Sequence, residues 1–349
     1  MIQTGTENQR GHLVLRHVLD AEAHDLRAVA WSPRGDSLLG IAANGSAWLW
    51  DGATGEVRWR VKHAPGVPSC LRWSPDGRYW VVGTWQGPVQ MLGAGTGTPY
   101  ETFRGLNSGV IGLEWSPTGD YVLAVSQDAQ VAQWEIYSGM ALRARDHATD
   151  GGVTLCAAWS PDRRFIAIAS ATGDVECRQA TDWRLVWSTP GEGAGSANCV
   201  AWSADGLTLV RAAEGHIVDV WSVEDALRRW FETGQHVDPW RTLGAKDPLV
   251  RRLGGLGSGA SWASLSADGR LLAVRTRAEA LRLWRRGTTD QWQEMATVPD
   301  EPGAWAQGPL VAFHPCAPQL ATVVGGGSVV HVWDIAQMEP ESAPDTSAR

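Results

Sequence analysis

A chain of 349 residues with 44% hydrophobic and 19% charged residues is long enough for one large domain or two ordinary ones, and it is globular in composition. A formal net charge of −8, with no Lys/Arg run longer than two residues, makes nucleic acid and anionic membrane surfaces unexpected partners. The first dozen residues lack the apolar core of a secretory leader, no stretch nears the ~18 uninterrupted apolar residues of a membrane span, and five cysteines without a CxxC describe neither a disulfide framework nor a zinc site. The expected location is cytoplasmic. One count is abnormal: 21 Trp stand against 4 Tyr and 4 Phe, so something repetitive demands tryptophan.

In chain order, residues 1–9 are expected to be a flexible N-terminus, followed by the strand His12–Leu19, which has no partner nearby in sequence. Then a repeat begins. The segments at 28–40, 70–83, 112–124, 156–168 and 199–210 are five clear copies, and 262–274 and 310–323 are two weaker ones. Their anchors are Trp31, Trp73, Trp115, Trp159, Trp202, Leu265 and Phe313, and the first five recur every 42 to 44 residues. Nineteen residues after the first six come Trp50, Leu92, Trp134, Arg178, Trp221 and Trp284, while Trp333 follows the seventh by twenty. A fixed offset inside a variable period means rigid units joined by variable loops.

Each unit holds a strand ending at its anchor, a turn that reads Ser74-Pro-Asp-Gly77 in its fullest form, a second strand, a small polar loop and a third strand ending at the second aromatic. A fourth strand follows a Gly-bearing turn in several units, as Val57–Val61 does after Asp51–Gly55. Between Trp202 and Leu265 the spacing grows to 63, which places an insertion at about 222–248. There Ser222 is expected to cap a helix whose first turn carries Glu224 and Asp225, whose apolar stripe is Leu227, Trp230 and Phe231, and which stops at Gly234. A fourth strand near Leu249–Leu253 should complete that unit. Residues 336–349, rich in Glu, Ser, Asp and Pro, read as a disordered tail.

Four short strands per repeat, seven times over, describe a β-propeller. The Trp-Ser-Pro-Asp-Gly turns, the 19-residue offset and the dipeptides Trp50-Asp51 and Trp333-Asp334 together resemble WD40 repeats across about residues 10–335, in a divergent form of bacterial type. The resemblance implies an all-β, seven-bladed propeller of four-stranded antiparallel blades. His12–Leu19 is then expected to close the ring by completing the last blade, because little chain remains after Trp333 to do so. Two departures from the pattern stand out. His24, His63 and His147 precede three units without the usual glycine, and the loop Asp is replaced by Asn44, Gln86, Thr172 and Gly215, with Asp128 alone kept among the first five units. Aromatic burial is therefore expected to carry more of the stability than a His–Asp network.

Cys70, Cys156 and Cys199 all lie three residues before an anchor, where other units have Ala28, Gly112 and Leu310, so they read as small core residues. Trp262 fills the same slot in unit 6, which predicts local rebuilding of that blade. Asp51–Trp59 resembles the repeat of pyrroloquinoline-quinone propeller dehydrogenases but occurs once, and it reads as a turn with Trp59 packed on the sheet. No metal-ligand spacing, nucleophile elbow or phosphate loop appears, so no catalytic residue, metal or cofactor is assigned.

The implied function is protein–protein interaction by a monomeric, non-catalytic scaffold that docks partner proteins on the top face or rim of the propeller. Twelve residues past the anchors, in the loops expected on the narrow top face, stand Trp85, Gln127, Glu214 and Arg277, residue types suited to partner contacts. Leu227, Trp230 and Phe231 give the alternative, a docking helix below the ring; as plain structure they would pack under blade 5. Two further functional alternatives are a sensor or regulatory subunit of a larger, bacterial defence or signalling complex, and an enzyme with its site in the central funnel.

Overall fold

The computed structural model describes residues 9–10, 12–22, 25–62, 66–136, 138, 141–145, 153–189, 191, 195–234, 249–256, 258–277, 280–287, 291–299, 310–324 and 327–336. Alternating strands and turns collect into seven antiparallel sheets, each containing one repeat. Blade 1 shows the common plan: Leu26–Trp31, Ser37–Ala42, Ser46–Asp51 and Val57–Lys62 pair in sequence order. The first strand of every blade touches the first strand of the next, and that of blade 7, Val311–Phe313, returns to that of blade 1. The result is a seven-bladed propeller with the anchor strands around its axis. No helix among the described residues is long and apolar enough to cross a membrane.

The expected closure is present. Leu13–Asp20 pairs with Val329–Ile335 from Leu13↔Ile335 to Asp20↔Val329, and this makes the N-terminal strand the outer partner in blade 7. A further two-residue strand, Gln9–Arg10, adds to its edge, so blade 7 has five strands where four were expected.

The first turn of each unit is built the same way. The backbone N–H after the anchor donates to the carbonyl five residues on, from Ser32 to Ser37 in blade 1 through His314 to Gln319 in blade 7. In the first six blades the serine hydroxyl accepts a hydrogen bond from the N–H of that same later residue. Blade 7 has His314 instead. Its Nδ1 accepts the N–H groups of Cys316 and Ala317, which leaves Nε2–H to donate to Gly35 O of blade 1 at 3.1 Å. The ring packs edge-on against Trp31 at 4.7 Å. Gly35 lies at φ 75°, and a Cβ there would fall 2.1 Å from the imidazole, so both conformation and space require glycine.

Tryptophan burial fills the spaces between blades: Trp48, Trp50, Trp80, Trp134, Trp187 and Trp221 are all fully buried. Two anchor indoles also tie neighbouring inner strands together, Trp73 donating to Ala30 O at 3.0 Å and Trp202 to Ala158 O at 3.1 Å. His24, His63 and His147 lie outside the described residues. In the Asp position, Asn44 Oδ1 accepts Ser46 N–H within its own loop, and Gln86 Oε1 accepts Val67 N–H of the segment that leads into the inner strand.

Buried arginines add polar links that the sequence reading did not foresee. Arg211, fully buried, donates to Gly173 O of blade 4 and pairs with the fully buried Asp219, while Arg252 caps that carboxylate at 2.7 Å. Arg275 of blade 6 donates to Val323 O of blade 7 at 2.7 Å.

In the insertion, α1 (Glu224–Thr233) begins at Val223 and has no side-chain cap, because Ser222 is the last residue of the third strand. Gly234, at φ 66°, stops it, its N–H donating to Trp230 O. The helix lies against Leu185–Thr189, the outer strand of blade 4, and so crosses to the neighbouring blade instead of remaining under its own. Residues 235–248 of the expected insertion lie outside the described residues, and Leu249–Leu253 is the fourth strand of blade 5.

Two outcomes test this account. Deletion of residues 1–19 should expose the edge of Val329–Ile335 and yield aggregated or strongly destabilised protein; a monomeric product melting within a few degrees of the intact chain would contradict it. Burial lowers the His314 pKa below its ordinary value of 6.5, so the neutral ring's stabilisation is whole above that pH and is lost as pH falls through the lower folded value. The melting temperature of the intact protein should fall on going from about pH 7 to about pH 5, and His314→Ser, the residue of the other six turns, should flatten that slope.

Candidate functional site

The loops between second and third strands share one clamp. The N–H twelve residues past the anchor donates to the carbonyl six residues before it: Ala43 to Asp25, Trp85 to Val67, Gln127 to Gly109, Ala171 to Val153, Glu214 to Ser196 and Arg277 to Gly259, at 2.7–3.0 Å. Six loops are thus tied by their backbones to the segments that lead into the inner strands, all on the top side of the ring.

The four top-face residues singled out in the sequence fall into two pairs. Trp85 is half-buried, and its ring lies 2.8 Å from where a Cβ on Gly109 would stand, with Gln127 Oε1 3.0 Å from the same point. Gly109 therefore leaves the space that Trp85 and Gln127 share between blades 2 and 3. Glu214 and Arg277 form an ion pair between blades 5 and 6, with the Arg277 side chain 48% exposed. Such exposed pairs add little stability, on the order of 0–1 kcal/mol, and leave both groups available to a partner.

Below the ring, α1 divides its stripe. Leu227 and Trp230 are buried, and Arg184 of blade 4 lies over the Trp230 ring at 5.1 Å while donating to Gly234 O at 2.9 Å. Phe231 is 52% exposed, with the Arg164 guanidinium 4.4 Å from its ring centre and Phe165 5.7 Å away. The geometry thus gives Leu227 and Trp230 a packing role and leaves Phe231 at the surface.

The central channel holds what the sequence reading missed. A cavity of about 420 Å³ is lined by the inner strands; the position one before the anchor contributes in every blade, and the position three before it contributes as Cys156, Cys199 and Trp262. The position one before the anchor is Ala30, Ala158, Ala201, Ser264 or Ala312 in five blades but Arg72 and Glu114 in blades 2 and 3, and these two pair at 3.2 Å. Burial pushes the Glu114 carboxyl above its ordinary value, and the facing Arg72 guanidinium pulls it back. Trp262 enters the same space. Its strand keeps the register shift seen in the other blades, between Ala260 and Trp262, so the expected rebuilding does not occur; the ring instead lies 5.5 Å from the Arg72 guanidinium. Aligning the repeats on their anchors would have exposed two opposite charges in an otherwise small-residue column.

Asp51–Gly55 is a turn, as expected: Asp51 Oδ1 accepts the Ala53 and Thr54 N–H groups, and Trp59 donates across the joint to Ala94 O at 3.2 Å. The Thr54 N–H and the Arg58 guanidinium hold the Asp51 carboxyl well below the usual carboxylate range. Among the described residues, no group of three or more His, Cys, Asp or Glu side chains is placed to hold a metal ion.

Comparison with known proteins bears on the repeat. The family description "WD domain, G-beta repeat" matches residues 97–135, which span the outer strand of blade 2 and most of blade 3. The chain contains WD40 repeats. A second description, "Anaphase-promoting complex subunit 4 WD40 domain", matches residues 157–236, within blades 4 and 5 and α1. Among curated proteins, the WD40 segments are similar to the human Angio-associated migratory cell protein, 33% identical over 85 residues, covering 24% of this chain and 19% of that protein. They are also similar to WD repeat-containing protein SL1-17 of Schistosoma mansoni, 27% identical over 141 residues, covering 40% of this chain and 45% of that one. The matches span about a fifth of the length of the first relative and under half of the second. In fold, the ring superposes on the β-propeller domain of Myceliophteria thermophila Cps50 (Swd1) with a TM-score of 0.75 and 16% identity, covering 93% of this chain and all of that one.

The split of the α1 stripe gives a prediction. Trp230→Ala should lower stability by about 3–5 kcal/mol in denaturant unfolding, whereas Phe231→Ala should cost under about 1 kcal/mol. Equal effects would mean that α1 is not seated as described.

Proposed function

We propose that this WD40 ring is a non-catalytic scaffold that docks a partner protein on its top face. The observation that carries the reading is the repeated loop clamp, which fixes six backbones alike while the side chains it presents differ from blade to blade. A surface already ordered before binding loses less freedom when a partner arrives. Trp85 supplies a large, partly exposed aromatic, Gln127 an exposed amide, and Glu214 with Arg277 a charged pair at the far side of the face. Tryptophan and arginine are among the residue types that dominate binding energy where interfaces have been dissected. The reading takes the protein as monomeric on its own, cytoplasmic, and working without metal or organic cofactor.

A narrower version, a sensor or regulatory subunit within a bacterial assembly, rests on the Ala-, Trp- and Arg-rich character of the repeats. A second docking surface is favoured by one observation, the exposed Phe231 with Arg164 beside it. The rival of another class is a reaction in the channel, where Arg72 and Glu114 meet; there each charge is occupied by the other.

The test compares the intact protein with Trp85→Ala combined with Arg277→Glu as bait in quantitative affinity capture from the native cell. The double variant should lose the proteins that the intact bait enriches, while Arg277→Glu alone keeps the melting temperature and weakens capture in part. Undiminished capture by the double variant would remove the top face from the reading, and a matching loss with Phe231→Ser would transfer it to α1.

A further inference from the structure

The turn after the anchor carries the same two residues in three blades, an aspartate three places past the anchor and an arginine five places past it: Asp76 and Arg78, Asp162 and Arg164, Asp268 and Arg270. In blades 2 and 4 the arginine folds back on its own turn, Arg78 Nε donating to Asp76 Oδ2 at 2.8 Å and Arg164 Nε to Asp162 Oδ2 at 2.7 Å. In blade 6 the aspartate keeps its turn contacts, Oδ1 accepting the Ser266 hydroxyl and the Arg270 backbone N–H, but the Arg270 guanidinium does not return to it. Arg270 instead lines a cavity of about 250 Å³ at the joint between blades 6 and 7, on the side of the ring that carries the anchor turns.

A second guanidinium lines the same cavity. The residue after the third-strand aromatic is Asp51 in blade 1, Glu135 in blade 3 and Asp334 in blade 7, and Asp51 and Asp334 each pair with an arginine of the outer strand beside them, Arg58 and Arg16. Blade 6 has Arg285 at this place, after Trp284, so the charge there is reversed. Among the described residues, neither Arg270 nor Arg285 has a side-chain hydrogen bond, ion pair or ring contact. Apart from Asp268, the rest of the lining is apolar: Leu271 and Met295 of blade 6, both half-buried, face the buried Ile335 of blade 7, with Pro318 and Ala336 at the rim. Two guanidiniums against one carboxylate leave an excess of one positive charge beside an apolar wall.

We propose that this cavity binds a small carboxylic acid with a short apolar chain, the carboxylate accepting from Arg270 and Arg285 and the chain lying on Leu271, Met295 and Ile335. A guanidinium presents paired N–H donors whose spacing matches a carboxylate. A monoanion balances the excess charge, whereas a doubly charged phosphate ester would bring its second charge against Asp268. Cavities for drug-sized ligands begin near about 300 Å³, so a cavity of about 250 Å³ takes a smaller body. Such a ligand touches both blades next to the closing ladder, where Ile335 pairs with Leu13 and the Ala336 N–H donates to His12 O. It binds the closed ring and not the unfolded chain, and so stabilises closure by mass action. The site shares no residue with the top face or with α1, and it stands or falls apart from either docking surface.

The test is calorimetric titration of the full chain with hexanoate, alongside acetate, hexanamide and inorganic phosphate, with the melting temperature followed in parallel. Hexanoate is expected to bind saturably at a single site and to raise the melting temperature. Acetate, which lacks the chain, and hexanamide, which lacks the charge, should each bind at least about tenfold more weakly. Arg270→Gln and Arg285→Gln should each weaken hexanoate binding about tenfold or more and leave the unliganded melting temperature unchanged, because neither side chain has a partner to lose. Arg78→Gln, at the same turn position in blade 2, should leave hexanoate binding as it is. Asp268→Asn keeps the oxygen that holds the turn and removes the opposing charge, so hexanoate should bind more tightly. No saturable binding at millimolar hexanoate, undiminished binding by either arginine variant, or tighter binding of phosphate than of hexanoate would each overturn the proposal. Binding that appears only after Glu339 and Glu341 are both changed to glutamine would do the same, since it would assign the cavity to the acids that follow Ala336 in the chain.

Discussion

A ring of sheets is stable as a ring only if its last blade is complete, and here the two ends of the fold meet to complete it. The ladder between Leu13–Asp20 and Val329–Ile335 converts an open stack of blades into a closed one and satisfies the backbone groups of an outer strand that no local segment can supply. Everything nearer the axis depends on it. The contact of blade 7 with blade 1 places His314 beneath Gly35, and the channel exists because seven inner strands surround it. Exposed Val14, Arg16 and Val18 show the other consequence: beyond the two residues paired with Gln9–Arg10, the strand that closes the ring has an open outer edge.

With closure in place, the joints between blades are free to differ, and they do. Blades 7 and 1 are held by a histidine donating to a glycine carbonyl, blades 1 and 2 by an indole N–H reaching the neighbouring inner strand, blades 4 and 5 by an indole N–H and a buried arginine together, and blades 6 and 7 by a buried arginine. Arg211 is the costly case, since two fully buried charges must be repaid for lost hydration; Asp219 and the Gly173 carbonyl take its two terminal nitrogens and Arg252 adds to the Asp219 carboxylate, while the Arg211 Nε has no hydrogen-bond partner. The shared elements are backbone features: the anchor turn, the bulge before the inner slot and the clamp on the top loops. Common backbone with individual side chains allows one fold to carry a different surface on each blade.

The architecture was legible because it is periodic. Seven anchors, a constant offset to the third strand and an orphan N-terminal strand fix the number of blades and the way they close. Long-range side-chain placement was not legible by the same route. Ser222 looked like a cap because a helix follows it, but the third strand keeps it and the helix starts one residue later. Trp262 looked too large for its slot because the other slots hold smaller residues, and nothing local says that the slot opens on a channel with a guanidinium across it. Arg72 and Glu114 are 42 residues apart, and only the stacking of neighbouring blades makes them partners. Of the top-face residues, the sequence located the loops and the structure supplied the pairing: Trp85 with Gln127, and Glu214 with Arg277.

The closing ladder also bears on how the protein is made. Leu13–Asp20 leaves the ribosome early, while its partner, Val329–Ile335, is among the last of the described segments to be synthesised. At about 5–20 residues per second, the wait between them is on the order of tens of seconds. Blades 1 to 6 each draw their strands from a continuous stretch of chain and can assemble during that interval, whereas blade 7 cannot. Throughout it the first strand has an unpaired edge and an apolar face, Leu13 and Leu19, that the finished ring buries completely or nearly so. Of the described strands, Leu13–Asp20 therefore waits longest for its partner, with an edge open to wrong pairing until Val329–Ile335 arrives.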